Sequence, residues 1–255
     1  MDWSRRALLR TVAVLAGGAA AERFAAPALA AEVEEGQQAP APRRPLAERL
    51  QVCQPPGDAL EELLRRNRAF AAVWQEAERA GDPVERARLL HDAWPLHCQV
   101  RPDALAEGQK PWAALLCCAD SRVAPEWIFA SGSGELFEVR AAGNTAFDAG
   151  IASLEYAVAE LAVPLILVMG HSGCGAVGAA LSDHPLTPLL EELVTPIRAA
   201  LKPGDDLRRA IRANAAASAA ALPARSALLQ QAVAERRLRI VASVFDIGSG
   251  RVSVL

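Results

Sequence analysis

Two short apolar runs do most to restrict what this chain can fold into. Trp112–Cys118 and Val163–Met169 carry no charge, and each stops abruptly, the first in Ala119-Asp120-Ser121-Arg122 and the second in Gly170-His171-Ser172. Glu135–Arg140, bounded by Gly132, Gly134 and Gly143, reads as a further strand. Ile151–Leu161 reads as a helix between strands. Helical stretches follow at Pro188–Leu201, Asp205–Ala221 and Ala224–Arg236, then a strand at Leu238–Phe245. Gly248-Ser249-Gly250 turns that strand into Arg251–Leu255, a terminal hairpin. Short apolar strands alternating with helices predict an α/β fold with a mostly parallel central sheet flanked by helices. A chain of 255 residues with 52% hydrophobic content has enough apolar material for one such domain with extensions. Its net charge of −3, with basic residues scattered among acids, excludes the basic face that nucleic-acid binding needs.

Upstream of the sheet, Asp58-Ala59-Leu60-Glu61 has capping-box spacing. Leu60, Leu63, Leu64, Phe70, Val73 and Trp74 then recur at helical spacing, and a second helix is expected at about Pro83–Ala93. These two amphipathic helices form an N-terminal helical arm in search of a surface to cover.

Residues 1–31 read as a targeting segment rather than as structure. Ser4-Arg5-Arg6-Ala7-Leu8-Leu9-Arg10 resembles a twin-arginine export signal, an apolar stretch follows from Thr11 to Ala21, and Ala28-Leu29-Ala30 offers small residues for cleavage. A bilayer span needs about 20 apolar residues. Glu22 and Arg23 interrupt this run, so no stable membrane anchor is expected. Export to a bacterial periplasm follows from that reading, with residues 32–57, rich in Glu, Gln, Ala and Pro, as a flexible linker and 58–255 as the folded domain.

The chemistry gathers where strands end, which in open α/β sheets is where ligands bind. Cys118 closes the first apolar run, and His171-Ser172-Gly173-Cys174 follows the third strand and opens a helix. Two thiolates and an imidazole suit zinc, and three protein ligands leave one position for water. The helix start near Gly175 favours thiolates beside it. Taken alone, the His-x-x-Cys spacing fits a buried structural pair equally well. Cys117 precedes Cys118 on a strand, so its side chain faces the other side and belongs to the core.

The surrounding residues carry more. Cys118-Ala119-Asp120-Ser121-Arg122, Gly134-Glu135-Leu136-Phe137-Glu138-Val139-Arg140-Ala141-Ala142-Gly143-Asn144, Ser153-Leu154-Glu155-Tyr156-Ala157-Val158 and Met169-Gly170-His171-Ser172-Gly173-Cys174-Gly175-Ala176-Val177 resemble the β-carbonic anhydrase family in order and spacing, over about residues 58–255. That resemblance implies a zinc enzyme interconverting carbon dioxide and bicarbonate, with one Zn2+ per subunit on Cys118, His171 and Cys174. It implies that Asp120 accepts a hydrogen bond from the attacking oxygen while Arg122 holds it, or that Asp120 takes zinc's fourth position in a closed state. It assigns substrate contact to Gln109, Phe137, Tyr156 and the backbone of Gly175, some of it supplied across a dimer interface; ordinary core packing suits Phe137 and Tyr156 equally well. It also implies a homodimer or dimer of dimers whose N-terminal helices wrap a partner. Ala141 departs from the family's frequent Asn, which bears on local hydrogen bonding rather than on the metal.

Two other functions stay open at this level: a zinc hydrolase of carbonyl sulfide or carbon disulfide, and a non-catalytic zinc- or bicarbonate-binding module. His91 and His97 read as surface residues, His184 as surface or a proton relay, and Cys53 and Cys98 as candidates for pairing in an oxidising compartment.

Overall fold

A computed structural model describes Pro55, residues 57–92 and residues 102–255 of the chain. The targeting segment, Cys53, His97, Cys98 and nearly all of the linker lie outside the described residues. Among the described residues, no helix is long and apolar enough to cross a membrane.

Helix α1 (Ala59–Arg79) starts where the capping spacing places it, with Asp58 Oδ1 accepting from the Glu61 N–H at 3.0 Å. α2 (Pro83–Asp92) and the short α3 (Pro102–Glu107) follow. The sheet strands are β1 (Ala113–Cys117), β2 (Leu136–Arg140), β3 (Leu165–His171), β4 (Arg239–Asp246) and β5 (Arg251–Val254). Their order is β2-β1-β3-β4-β5, parallel except for the antiparallel β4–β5 pair. Between them lie α4 (Pro125–Ile128), a 3-10 turn (Ala142–Asn144), α5 (Asp148–Ala159), α6 (Gly175–Leu181), α7 (Pro188–Ala199), α8 (Leu207–Arg225) and α9 (Ala227–Ala234).

Alternation along the strands builds two cores. Ala114, Leu116, Ile166 and Val168 face Leu154 and Val158 of α5, Leu222 of α8 and Leu229 of α9. Ala113, Leu115, Cys117, Leu167 and Met169 face Leu63 and Phe70 of α1 and Ile128 of α4. Each fully buried large apolar side chain contributes about 1.5–3 kcal/mol, so the two filled faces hold the layers together. A third cluster caps the carboxyl ends of the strands and contains Cys118, Cys174, Val177, Val194, Ile197 and Ile211.

The two helices of the N-terminal arm differ in what they cover within the chain. α1 lies on its own sheet: Asn67 Nδ2 donates to Gly250 O at 2.9 Å, and the Val252 N–H donates to Asn67 Oδ1 at 2.8 Å. Beneath it, the buried Arg66 guanidinium grips both oxygens of the buried Glu135 at 3.1 Å. The reason is burial. Leu63 and Phe70, with Ile128 of α4, cover the β1 apolar face opposite α5, α8 and α9. α2 is largely exposed over its described length.

A second difference concerns α8, which continues past the expected end at Ala221 and through Pro223 to Arg225. Ser226 then sets the boundary. Its N–H donates to Leu222 O at 3.1 Å, and its Oγ accepts from the Leu229 N–H at 3.0 Å, closing one helix and capping the next.

Candidate metal centre

The parallel register brings the ends of β1 and β3 level, pairing Cys117 with Met169. Cys118 therefore leaves β1 beside His171, the last residue of β3, and Cys174 sits at the start of α6. One donor atom from each of Cys118, His171 and Cys174 lies within 4.8 Å of the others, and all three residues are buried. His171 is fully buried. Its Nδ1 lies 3.1 Å from Ser172 O, and its Nε2 has no partner. A buried imidazole nitrogen left unpaired is costly unless something binds it. That nitrogen, aimed with two sulfurs at one point, fits a tetrahedral zinc.

One of the two sulfurs is prepared for ionisation. A hydrogen bond from Cys174 is the largest influence lowering the Cys118 thiol; burial opposes it, and His171 and the N–H groups of Gly143 and Asp120 assist. Cys174, as the donor, is pushed up, and its burial adds to the rise. The two thiols titrate as a pair, and a metal ion binding both would displace the proton. Cys117, on the other face, is pushed up to about 12 by burial and stays a core thiol, as its strand position predicts.

Asp120 stands beside this group. Arg122 donates Nε to Oδ1 at 2.9 Å and Nη2 to Oδ2 at 2.7 Å, and its own N–H adds a third bond to Oδ1 at 3.0 Å. These bonds hold the Asp120 carboxyl well below the usual carboxylate range. Asp120 Oδ2 lies 3.8 Å from His171 Nε2, so the ionised oxygen faces the ligand cluster. Arg122 Nη2 also donates to Gly173 O at 3.2 Å, joining the two strand-end loops.

Sequence reasoning missed Arg140 in this setting. It ends β2 opposite Cys117, and its guanidinium donates to the carbonyls of Cys118 (3.1 Å), Asp120 (3.0 Å) and Val123 (2.6 Å). One planar fork therefore shapes the whole loop that presents a metal ligand and the carboxylate. Arg140→Ala is expected to weaken zinc retention by about 10–100-fold. Chelator competition checks this, and native retention would remove the assigned role. At Ala141 the backbone supplies the local bonds: its N–H donates to Cys117 O at 3.1 Å and its O accepts from the Ala119 N–H at 3.2 Å.

The remaining residues separate into two places. Gly175, exposed at the first position of α6, adjoins Cys174. Gln109 is exposed ahead of β1, at the end opposite Cys118. Phe137 pairs with Ala114, which puts it about 13 Å along the strand direction from Cys118. Its ring centroid is 6.3 Å from that of Tyr156, which is 48% exposed on α5. One copy of the chain therefore does not bring Gln109, Phe137 and Tyr156 to its own sulfurs. His184 is exposed after α6, its N–H donated to Ser182 Oγ. His91 lies exposed at the end of α2.

The sequence profile of the carbonic anhydrase family matches residues 113–252. "Carbonic anhydrase 2" of Mycobacterium tuberculosis (strain H37Rv) is 40% identical over 189 residues, covering 71% of this chain and 90% of that protein. The carbonic anhydrase of Pseudomonas aeruginosa is 36% identical over 185 residues, covering 66% of this chain and 83% of its own length. Among solved structures, a tetrameric β-carbonic anhydrase of Sordaria macrospora superimposes with TM-score 0.55 at 30% identity, over 60% of this chain and 84% of that one. The Coccomyxa β-carbonic anhydrase in complex with acetazolamide gives 0.56 at 29% identity, over 69% and 87%.

Proposed function

The chain belongs to the β-carbonic anhydrase family and is an enzyme of that class, and we propose that it interconverts carbon dioxide and bicarbonate at a zinc ion held by Cys118, His171 and Cys174. The observation that carries this reading is the unpartnered, buried Nε2 of His171 converging with two sulfurs beside an arginine-bound carboxylate. Zinc there supplies the Lewis acidity that lets a water molecule lose a proton near neutral pH, weakened by two thiolates so that activity rises on the alkaline side.

The protein's own residues do the rest. Asp120, kept ionised by Arg122, can only accept a hydrogen bond. Its Oδ2 therefore takes the hydrogen of the attacking oxygen and turns that oxygen's lone pair toward carbon. Arg122 holds the carboxylate in place through two of its nitrogens and ties it to Gly173. The Gly175 N–H, at the start of α6 beside Cys174, would bind an oxygen of bicarbonate. Gln109, Phe137 and Tyr156 serve the site of a second copy, in a homodimer or dimer of dimers built on the sheet's β2 edge, where Tyr156 is exposed. The twin-arginine-like residues 1–31 and the linker 32–57 support export of the folded domain to a periplasm.

The test is stopped-flow hydration of carbon dioxide by the zinc-loaded protein at alkaline pH. No rate above background would overturn the reading. Asp120→Asn is expected to retain zinc while losing about 10²-fold or more in turnover. Unchanged turnover counts against the role of Asp120.

A further inference from the structure

We propose that Asn214 is a positioning residue for the metal centre, acting through the backbone of Gly143 on the Cys118 sulfur. The Gly143 N–H donates to Cys118 Sγ at 3.3 Å, and the Gly143 carbonyl accepts from Asn214 Nδ2 at 2.7 Å. These bonds lie on either side of the Gly143 Cα, so together they set its φ of 69° and ψ of 17°. That is the left-handed region, where glycine alone is at ease. A Cβ at Gly143 would sit 2.6 Å from Ile197 Cδ1 and 3.1 Å from Ala176 Cβ. Asn144, the next residue, also has a positive φ of 48°. Two consecutive left-handed residues persist only when their surroundings hold them there.

Asn214 supplies that hold from α8. It is 2% exposed and reaches a buried carbonyl that would otherwise lack this donor. The N–H so aimed stabilises negative charge on Cys118, and contacts of this kind orient a ligand and tune its metal. Neither Asn214 nor Gly143 bears a metal-binding group of its own, so short-range motifs give no sign of either role.

The inference rests on the reading of Cys118, His171 and Cys174 as a zinc site, and one experiment separates the two. The full chain is labelled with 15N and 13C and loaded with 113Cd in place of zinc. The expected result is a scalar coupling between 113Cd and the Gly143 amide proton, transmitted through the Cys118 sulfur, and a second between Asn214 Nδ2 and the Gly143 carbonyl carbon. Absence of either coupling in the cadmium-loaded protein overturns the proposal. Failure to bind cadmium at all overturns the metal reading instead.

Asn214→Ala and Asn214→Asp both remove the donor, the second without changing shape. Either variant, folded by circular dichroism, is expected to lose the 113Cd–Gly143 coupling and release zinc to a chelator about 10-fold more readily. A folded variant that keeps both also overturns the proposal. If neither folds, the couplings in the native protein decide it.

Discussion

Replacing Cys174 by alanine removes zinc and carbon dioxide hydration together. The site offers three ligand atoms within 4.8 Å of one another, and a catalytic zinc is held by no more than that. Disturbing a residue behind a ligand already costs about 10–100-fold in metal affinity, so losing a ligand costs more. Metal analysis should find far less than one zinc per chain, with hydration at the uncatalysed rate. Circular dichroism should be close to native, because the strands beneath the site are held by apolar contacts away from Cys174. A Cys174→Ala protein that keeps one zinc and turns over would refute the ligand assignment.

The second large effect is on stability and lies far from the metal. Glu135 is 1% exposed and receives Arg66 on both oxygens, the Trp112 indole N–H at 3.3 Å and the Gly132 N–H at 2.6 Å. Arg66 in turn lies over the Trp112 ring, 5.1 Å from its centroid. Glu135→Leu removes one of the two carboxylates that pair with the buried guanidinium, leaving only Glu62 on Nε at 2.7 Å, and should cost about 3 kcal/mol. That is a large share of the roughly 5–15 kcal/mol that holds a domain folded. Adding Arg66→Met removes the under-paired charge and should recover a good part of the loss, because a buried pair replaced whole by apolar side chains is far better tolerated than a broken one. Denaturant midpoints at one fixed protein concentration test this, since assembly adds to apparent stability. If the double variant is as unstable as the two single losses added together, the charge argument fails.

Much of the fold was legible because its signals are local. Strands β1 and β3 announce themselves as uncharged apolar runs, and the Asp58 cap and Gly248–Gly250 turn act within a few residues. Helix ends were less legible. The helix expected to end at Ala221 runs on to Arg225, and the boundary belongs to Ser226, which can cap in both directions. The placement of α1 was not legible at all. An amphipathic stripe states that a surface is needed, and whether that surface belongs to its own sheet or to a partner depends on which apolar face the other helices leave bare.

The candidate site divides in the same way. The sequence alone determined which residues can bind a metal and which carboxylate stands near them. Cys118, Asp120 and Arg122 share one strand-end loop, and His171 and Cys174 share another, so each spacing carries its geometry with it. Only the tertiary structure decided what holds the site: Arg140 reaching back 17 residues to Val123, and Asn214 reaching back 71 to Gly143. It also decided that Gln109, Phe137 and Tyr156 lie away from the sulfurs of their own copy. Bonds from side chains to distant backbone groups leave no periodicity or spacing in a sequence. They exist only once the sheet register has set which strand ends lie level.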